Sequence, residues 1–240
     1  MRVFLINLDK NKDRLALVGQ RLSDLEVSFE RIPAVYGKTL SEAEKKKCVA
    51  PFKWWCLRGV MPRDGEVGCA LSHLVAYRRL LEGGDDCCCV LEDDDQFEPT
   101  FKDQLARIES WIDPDEPQVV LLTNYSDSSS SNSWKVVASV GDSSSEGYVI
   151  TRMAARAILK HNFPVCMPSD GWRFWVRRGW IKLYHAFPTV VPRTWMLPGY
   201  ISDVCPLGEK MIRVSDMNVI QKILWKAQRV VGLILARIII

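Results

Sequence analysis

Cys87-Cys88-Cys89-Val90-Leu91-Glu92-Asp93-Asp94-Asp95 is the stretch that decides the fold class of this 240-residue chain. Its first five residues are a continuous apolar run, the pattern of a buried strand. The four carboxylates that follow concentrate negative charge at the strand's C-terminal edge. In open α/β sheets that edge is where ligands bind. Carboxylates this close repel unless a cation neutralises them. Their oxygens suit a hard divalent ion, Mn²⁺ or Mg²⁺, of the kind that serves phosphate chemistry. The competing reading is a solvated acidic turn in which Asp95 or Glu98 helps to start the next helix.

The pattern on either side is that of an α/β chain. Val3–Leu8 reads as a first buried strand. Leu15, Val18, Leu22 and Leu25 then recur at helical spacing, and Val27–Ile32 reads as a second strand ending at Pro33. This is the β-α-β opening of a nucleotide-binding half of a doubly wound sheet, without the GxGxxG of a dinucleotide cofactor. Residues 38–64, with Trp54-Trp55 and Pro62, read as a loop excursion. A helix is predicted over Glu66–Glu82 and ends at Gly83-Gly84. After the acidic strand come a helix over Phe101–Trp111 and a strand over Gln118–Leu122. The serine-rich loop from Thr123 to Ser133 is either idle or a substrate lid. Lys135–Val140 and Glu146–Ile150 are expected to pair as strands. A helix over Arg152–Lys160, a helix through Trp172–Arg178 and a strand over Ile181–His185 follow.

The net charge of +3 gives no electrostatic case for nucleic acid. Eight cysteines contain no CxxC pair, and Cys87-Cys88-Cys89 alternate between two faces. They read as small buried hydrophobes in a reducing compartment rather than as disulfides or a zinc site. The opening residues carry no signal peptide pattern. No window supplies the ~20 apolar residues of a membrane span.

Four strings in order carry a family resemblance: Val3-Phe4-Leu5-Ile6-Asn7-Leu8-Asp9 with Arg14; Phe29-Glu30-Arg31-Ile32-Pro33-Ala34-Val35-Tyr36-Gly37; Gly65-Glu66-Val67-Gly68-Cys69-Ala70-Leu71-Ser72-His73-Leu74; and Leu91-Glu92-Asp93-Asp94. A looser fifth runs through Gly147-Tyr148-Val149-Ile150 to Pro168-Ser169-Asp170. Together they resemble glycosyltransferase family 25, the lipooligosaccharide galactosyltransferases of Gram-negative bacteria, with relatives that galactosylate collagen. The resemblance implies a GT-A-type, Rossmann-like, mostly parallel sheet flanked by helices over residues 1–210. It also implies a UDP-sugar donor, most commonly of galactose, a divalent metal, inversion at the anomeric carbon and a lipid-linked oligosaccharide acceptor. Two departures stand out. Asp95 replaces an apolar residue of the family pattern, and Ser169 interrupts the usual Pro-apolar-Asp.

Under that resemblance Asp94 is the first choice for the metal, with Asp95 and His185 as further candidate ligands. Glu92 and Asp93 are placed on the donor. In an extended segment Glu92 and Asp94 share one side, and the competing register pairs Asp93 with Asp95. Asp170 is the candidate base for the acceptor hydroxyl, against a simple helix-capping role; Asp203 and Glu146 are reserves. The neighbouring Trp172, Phe174 and Trp175 offer faces for a sugar ring. Glu66, His73 and Tyr77 share one helix face, with Glu66 and His73 expected at the donor. Asn7 and Asp9 end the first strand, where uracil or ribose is expected, and Arg14 is a candidate for phosphate. Ala34 and Val35 end the second strand and could wall the base.

From Ile220 apolar residues recur helically to Ile238, with Lys222, Lys226, Arg229 and Arg237 as a basic stripe and no acid after Asp216. Residues 211–240 therefore read as a basic amphipathic helix lying on an anionic membrane surface, against the alternative of docking on the core. The corresponding location is the cytoplasmic face of the inner membrane. Two other functions are weighed. A catalytically idle domain that scaffolds a membrane assembly disagrees with the joint presence of the acidic run, Asp170 and the His73 string. A metal-dependent phosphohydrolase would want more histidine ligands than the three present.

Overall fold

The computed structural model describes residues 1–123, 133–141 and 145–192, and within the C-terminal segment Val219, Ile223, Lys226, Ala227, Val230 and Val231. The strands are β1 (Arg2–Asn7), β2 (Glu30–Pro33), β3 (Cys87–Glu92), β4 (Gln118–Leu121), β5 (Lys135–Ser139), β6 (Tyr148–Thr151) and β7 (Lys182–Phe187). The helices are α1 (Lys12–Asp24), α2 (Glu42–Cys48), α3 (Pro51–Arg58), α4 (Asp64–Glu82), α5 (Phe101–Trp111), α6 (Arg152–His161) and α7 (Trp172–Arg177). The strands form one sheet in the order β2-β1-β3-β6-β4-β7-β5. β2, β1 and β3 run parallel, as do β4 and β7, while β6 and β5 pair antiparallel to their neighbours. The chain is thus an α/β protein with a mixed, mostly parallel sheet, consistent with a Rossmann-like GT-A fold.

The central strands are apolar on both faces because both faces are covered. Every residue from Cys87 to Leu91 is buried, as are all four of β4 and all four of β6. The three consecutive cysteines fill this layer as small hydrophobes, and burial pushes the Cys87 thiol up to about 11. One face gathers Val3, Leu5, Cys89, Leu91, Val120 and Val149 against Val18 and Leu22 of α1 and Leu105 and Ile108 of α5. Register places Phe4, Val90, Tyr148, Leu121 and His185 in one cross-strand row. Directly opposed residues share a face, so this row lines the other side.

Two expectations change and a third is extended. β5 and β6 do not pair with each other: β6 inserts between β3 and β4, and β5 lies at the edge on β7. Residues 38–64 are not a loop but carry α2 and α3. Ser41 and Glu44 close a capping box at the start of α2, and Pro51 opens α3 at its first turn. The glycines after α4 end it, but its last carbonyls are also satisfied from afar. Arg152 donates to the carbonyls of Leu81 (3.0 Å), Gly83 (2.7 Å) and Asp85 (2.6 Å), which fixes the entry to β3.

The chain divides into two units. The first comprises Met1–Val35, Leu71–His161 and Ser169–Tyr200; the second comprises Tyr36–Ala70, Asn162–Pro168 and Ile201–Ile240. In the second, Val49 bridges Val165, and buried Asn162 holds the strap that follows it through Cys166 N (3.1 Å), Met167 N (2.9 Å) and Met167 O (2.9 Å). Among the described residues no helix is long and apolar enough to cross a membrane.

Candidate active site

The strand order 2-1-3 makes the junction of β1 and β3 a topological switch point, and the crevice outside their carboxyl ends is the expected ligand site. Asn7 ends β1 there and Glu92 ends β3. Alternation along β3 sends Glu92 and Asp93 to opposite sides.

Asp93 turns toward α1. Its Oδ2 accepts a hydrogen bond from Asn7 Nδ2 (2.7 Å), and its Oδ1 lies 3.3 Å from Arg14 Nη1. Asn7 is buried and also donates to the Asn11 carbonyl (3.0 Å). Its Oδ1 accepts from Arg31 Nε (2.9 Å), and Arg31 in turn pairs with the exposed Asp9. Burial pushes the Asp93 carboxyl above the usual range, more than Asn7 and Arg14 pull it down. Four candidate residues thus share one network, Asn7, Asp9, Arg14 and Asp93, with Arg31 as a fifth member that spacing alone did not single out.

Glu92 turns toward α4. Its Oε1 lies 3.3 Å from His73 Nε2 and accepts from Ser145 Oγ at 2.7 Å. Burial opposes its charge, but His73 and Ser145 outweigh that and hold the carboxyl below its ordinary value. His73 is itself buried, and its Nδ1 lies 2.6 Å from Tyr148 Oη, which lies 2.7 Å from Tyr77 Oη. Burial raises the Tyr148 phenol far above its usual range, so it stays protonated. Although 3.3 Å is within ion-pair reach, Nε2 has no well-aligned hydrogen-bond acceptor among the described residues. An ionised Glu92 can only accept, so in neutral His73 the proton belongs on Nε2 and Nδ1 accepts from Tyr148. Cys69 stands one turn before His73 on α4 and so on the same helix face.

Asp94 and Asp95 follow in a turn, not in an extended segment. Asp95 N–H donates to the Glu92 carbonyl (3.2 Å), and Asp95 Oδ2 accepts from Glu92 N–H (2.8 Å). The alternation that would put Glu92 with Asp94, or Asp93 with Asp95, therefore stops at Glu92. Asp95 is fully buried, and its Oδ1 has no partner among the described residues. Burial, then the neighbouring charges of Asp94 and Glu92, drives its pKa far above the carboxylate range. Its carboxyl faces inward, where burial favours the protonated form, while Asp94 stays half-buried at the turn.

The remaining candidates are more dispersed. Ala34 N–H donates to the Asn7 carbonyl (3.0 Å) and Val35 N–H to Ser72 Oγ (2.8 Å), which ties the end of β2 to β1 and α4. Glu66 belongs to the second unit, where its carboxylate accepts from the Arg63 backbone (3.0 Å). His185 lies on β7, three strand spacings or about 14 Å from β3. Its Nδ1 sits 3.0 Å from the Thr123 carbonyl, and the structure does not bring it to the acidic turn. Asp170 is half-buried, immediately before Gly171, the N-cap of α7. Trp172 and Trp175 are buried and pack edge-to-face with each other, so only Phe174 of that aromatic trio is partly exposed. The serine-rich lid segment and Asp203 lie outside the described residues, apart from Thr123 and Ser133.

A family model described as glycosyltransferase family 25 (LPS biosynthesis protein) matches residues 1–172. Among curated relatives, procollagen galactosyltransferase 1-A of Xenopus laevis is 34% identical over 44% of this chain and 18% of its own. A putative glycosyltransferase, R655, of Acanthamoeba polyphaga mimivirus is 28% identical over 50% of this chain and 37% of its own. Procollagen galactosyltransferase 2 of Mus musculus is 30% identical over 46% and 18%. The chain therefore spans well under half the length of the relatives it matches. The match to the family model takes in β1, β3, β6 and the whole acidic turn, and the chain belongs to glycosyltransferase family 25.

Proposed function

We propose that the chain transfers a hexosyl group, galactose, from a UDP-sugar to a saccharide acceptor with inversion at the anomeric carbon. The observation that carries this is that the Asn7–Asp93–Arg14 network and the Glu92–His73 pair flank the β1–β3 switch point, one on each side. The first offers carboxylate, amide and guanidinium groups in reach of a ribose and diphosphate. The second is an ionised carboxylate beside a buried imidazole.

A divalent cation, Mn²⁺ or Mg²⁺, fits the donor set. Glu92 is held ionised, Asp94 stands at the turn, and His73 Nε2, whose proton a bound ion would displace, has no hydrogen-bond acceptor among the described residues. An imidazole in the set favours Mn²⁺. When bound, the ion would neutralise charge on the departing diphosphate. The chain's own residues do the rest. Arg14 and Arg31 hold positive charge beside the phosphates, Asp93, held in place by buried Asn7, orients the ribose hydroxyls, and Asp170 takes the proton of the attacking acceptor hydroxyl.

The family description points to a lipopolysaccharide acceptor and two of the named relatives to collagen. We take a lipid-linked oligosaccharide as the acceptor, met at the cytoplasmic face of an inner membrane. In support, Val219, Ile223, Lys226, Val230 and Val231 are helical and exposed on the C-terminal segment, apolar side chains with a cation among them. UDP release from UDP-galactose in the presence of a truncated oligosaccharide, compared with UDP-glucose, tests the assignment. Asp170→Asn should retain UDP binding and lose turnover. Turnover unchanged in that variant removes Asp170 as the base; no turnover with any UDP-hexose returns the chain to the idle-domain reading.

A further inference from the structure

From Lys45 to Arg63 the chain carries six basic residues and no acid. This run forms α2's end, α3 and the loop after it, all in the second unit. Two of the six cations are neutralised in place: Lys45 pairs with Asp64 (2.8 Å) and Arg63 with Glu66 (3.3 Å). Lys46, Lys53 and Arg58 form no ion pair among the described residues.

The apolar residues of the same run split into two sets. Trp54, Cys56 and Leu57 are buried and anchor α3. Phe52 and Trp55 point the other way and stack at a ring separation of 6.1 Å. Phe52 is 54% exposed, and the αL turn at Gly59 throws Val60 (47%) and Met61 (59%) out beside the end of the helix. Arg58 follows Trp55 by three positions, on the same exposed side. A ridge of Phe, Trp, Val and Met flanked by unpaired cations does not suit a water-facing surface.

We propose that this ridge inserts into an anionic lipid bilayer surface. Aromatic and thioether side chains sit at the headgroup–acyl boundary while Lys and Arg stems reach the anionic headgroups. Charge complementarity decides the occupant. The chain's C-terminal segment is itself basic, and a second copy would present the same cations, so both would be repelled. The assignment deepens the membrane partner of the proposed function but uses residues far in sequence from the C-terminal stripe, and it does not depend on donor chemistry.

Flotation of the full-length chain with phosphatidylcholine vesicles, with and without phosphatidylglycerol, tests it. The parent should float with the anionic vesicles only. F52S/M61S and K46E/R58E alter exposed side chains, so unchanged circular dichroism would certify their folds. Each should weaken partitioning by about tenfold or more. Unchanged flotation of both variants, equal flotation with neutral vesicles, or none with either, overturns the proposal. Tight heparin binding lost in K46E/R58E but kept in F52S/M61S would assign the surface to an acidic polymer and overturn the bilayer. UDP affinity should be unaltered in both variants, which separates this outcome from failure of the sugar-transfer reading.

Discussion

Replacing Tyr148 by Phe removes one oxygen from the middle of the Glu92–His73–Tyr148–Tyr77 chain, and its cost can be worked from the contacts. Tyr148 is fully buried, so no water replaces the lost hydroxyl without rearrangement. Two buried partners are left: His73 Nδ1, formerly at 2.6 Å, and the Tyr77 hydroxyl, formerly at 2.7 Å. A buried polar group stripped of its partner costs about 1–3 kcal/mol. The ring packing against Trp172 is retained, so no cavity term is added. Counting only His73 Nδ1 as stripped, we expect Tyr148→Phe to lose about 1–3 kcal/mol. With a urea dependence of about 2–3 kcal/mol per molar for a chain of this size, the unfolding midpoint should fall by about 1 M. A change below about 0.5 kcal/mol would refute the chain as a coupled unit. A second readout follows the imidazole directly. The chain has three histidines, so ¹⁵N spectra of labelled protein resolve them. His73 should show a protonated Nε2 and a hydrogen-bonded, unprotonated Nδ1. In the Phe variant the Nδ1 resonance should move toward that of a free imidazole, and an unmoved signal would contradict the assigned direction of the bonds.

Further outcomes follow from the same geometry. Asp95 has a folded-state pKa raised above the unfolded value of about 3.9, so its contribution to stability is full below that pH and is lost as pH rises toward the folded value. Asp95→Asn cannot ionise, so its stability relative to the parent should rise between about pH 4.5 and about pH 7.5 in urea titrations; a pH-independent difference would contradict a buried neutral acid. Asp170→Asn should lower kcat by about 10²–10⁴ with UDP affinity retained, measured by steady-state kinetics and UDP titration. A Cβ at Gly37 would stand 1.8 Å from the Asp64 carbonyl oxygen, so Gly37→Ala should cost about 1–3 kcal/mol or more in thermal unfolding, and an unchanged midpoint would contradict that close approach.

The elements that rest on local pattern were readable without coordinates. The apolar run into Glu92, the β-α-β opening and the 3.6-residue period of α1, α4 and α5 each specify their element within a few residues. The insertion of β6 between β3 and β4 was not readable, because strand neighbours are chosen by burial across the sheet and not by proximity in sequence. Trp54-Trp55 and the prolines around α3 disguise a helical pattern there, although Ser41 and Glu44 stand at capping-box spacing before α2. Within the site, strand ends located Asn7, Glu92 and Asp93. The partners that fix their charge were hidden because they arrive from far along the chain: Arg31 at 24 residues from Asn7, Ser145 at 53 from Glu92, Tyr148 at 75 from His73. The register of the acidic run was undecidable from alternation because the backbone leaves the extended state at Glu92. Trp172 and Trp175 show the reverse failure, residue types that suit a sugar platform but that the fold uses as core.

The acidic turn beside β1 is proposed to receive a nucleoside diphosphate together with a cation. Calorimetric titration with UDP, with and without Mn²⁺, in the parent and in Asp94→Ala, tests it most directly. UDP should bind more tightly with Mn²⁺ in the parent, and Asp94→Ala should lose that gain. UDP binding indifferent to the ion, or a gain that survives the substitution, would contradict it.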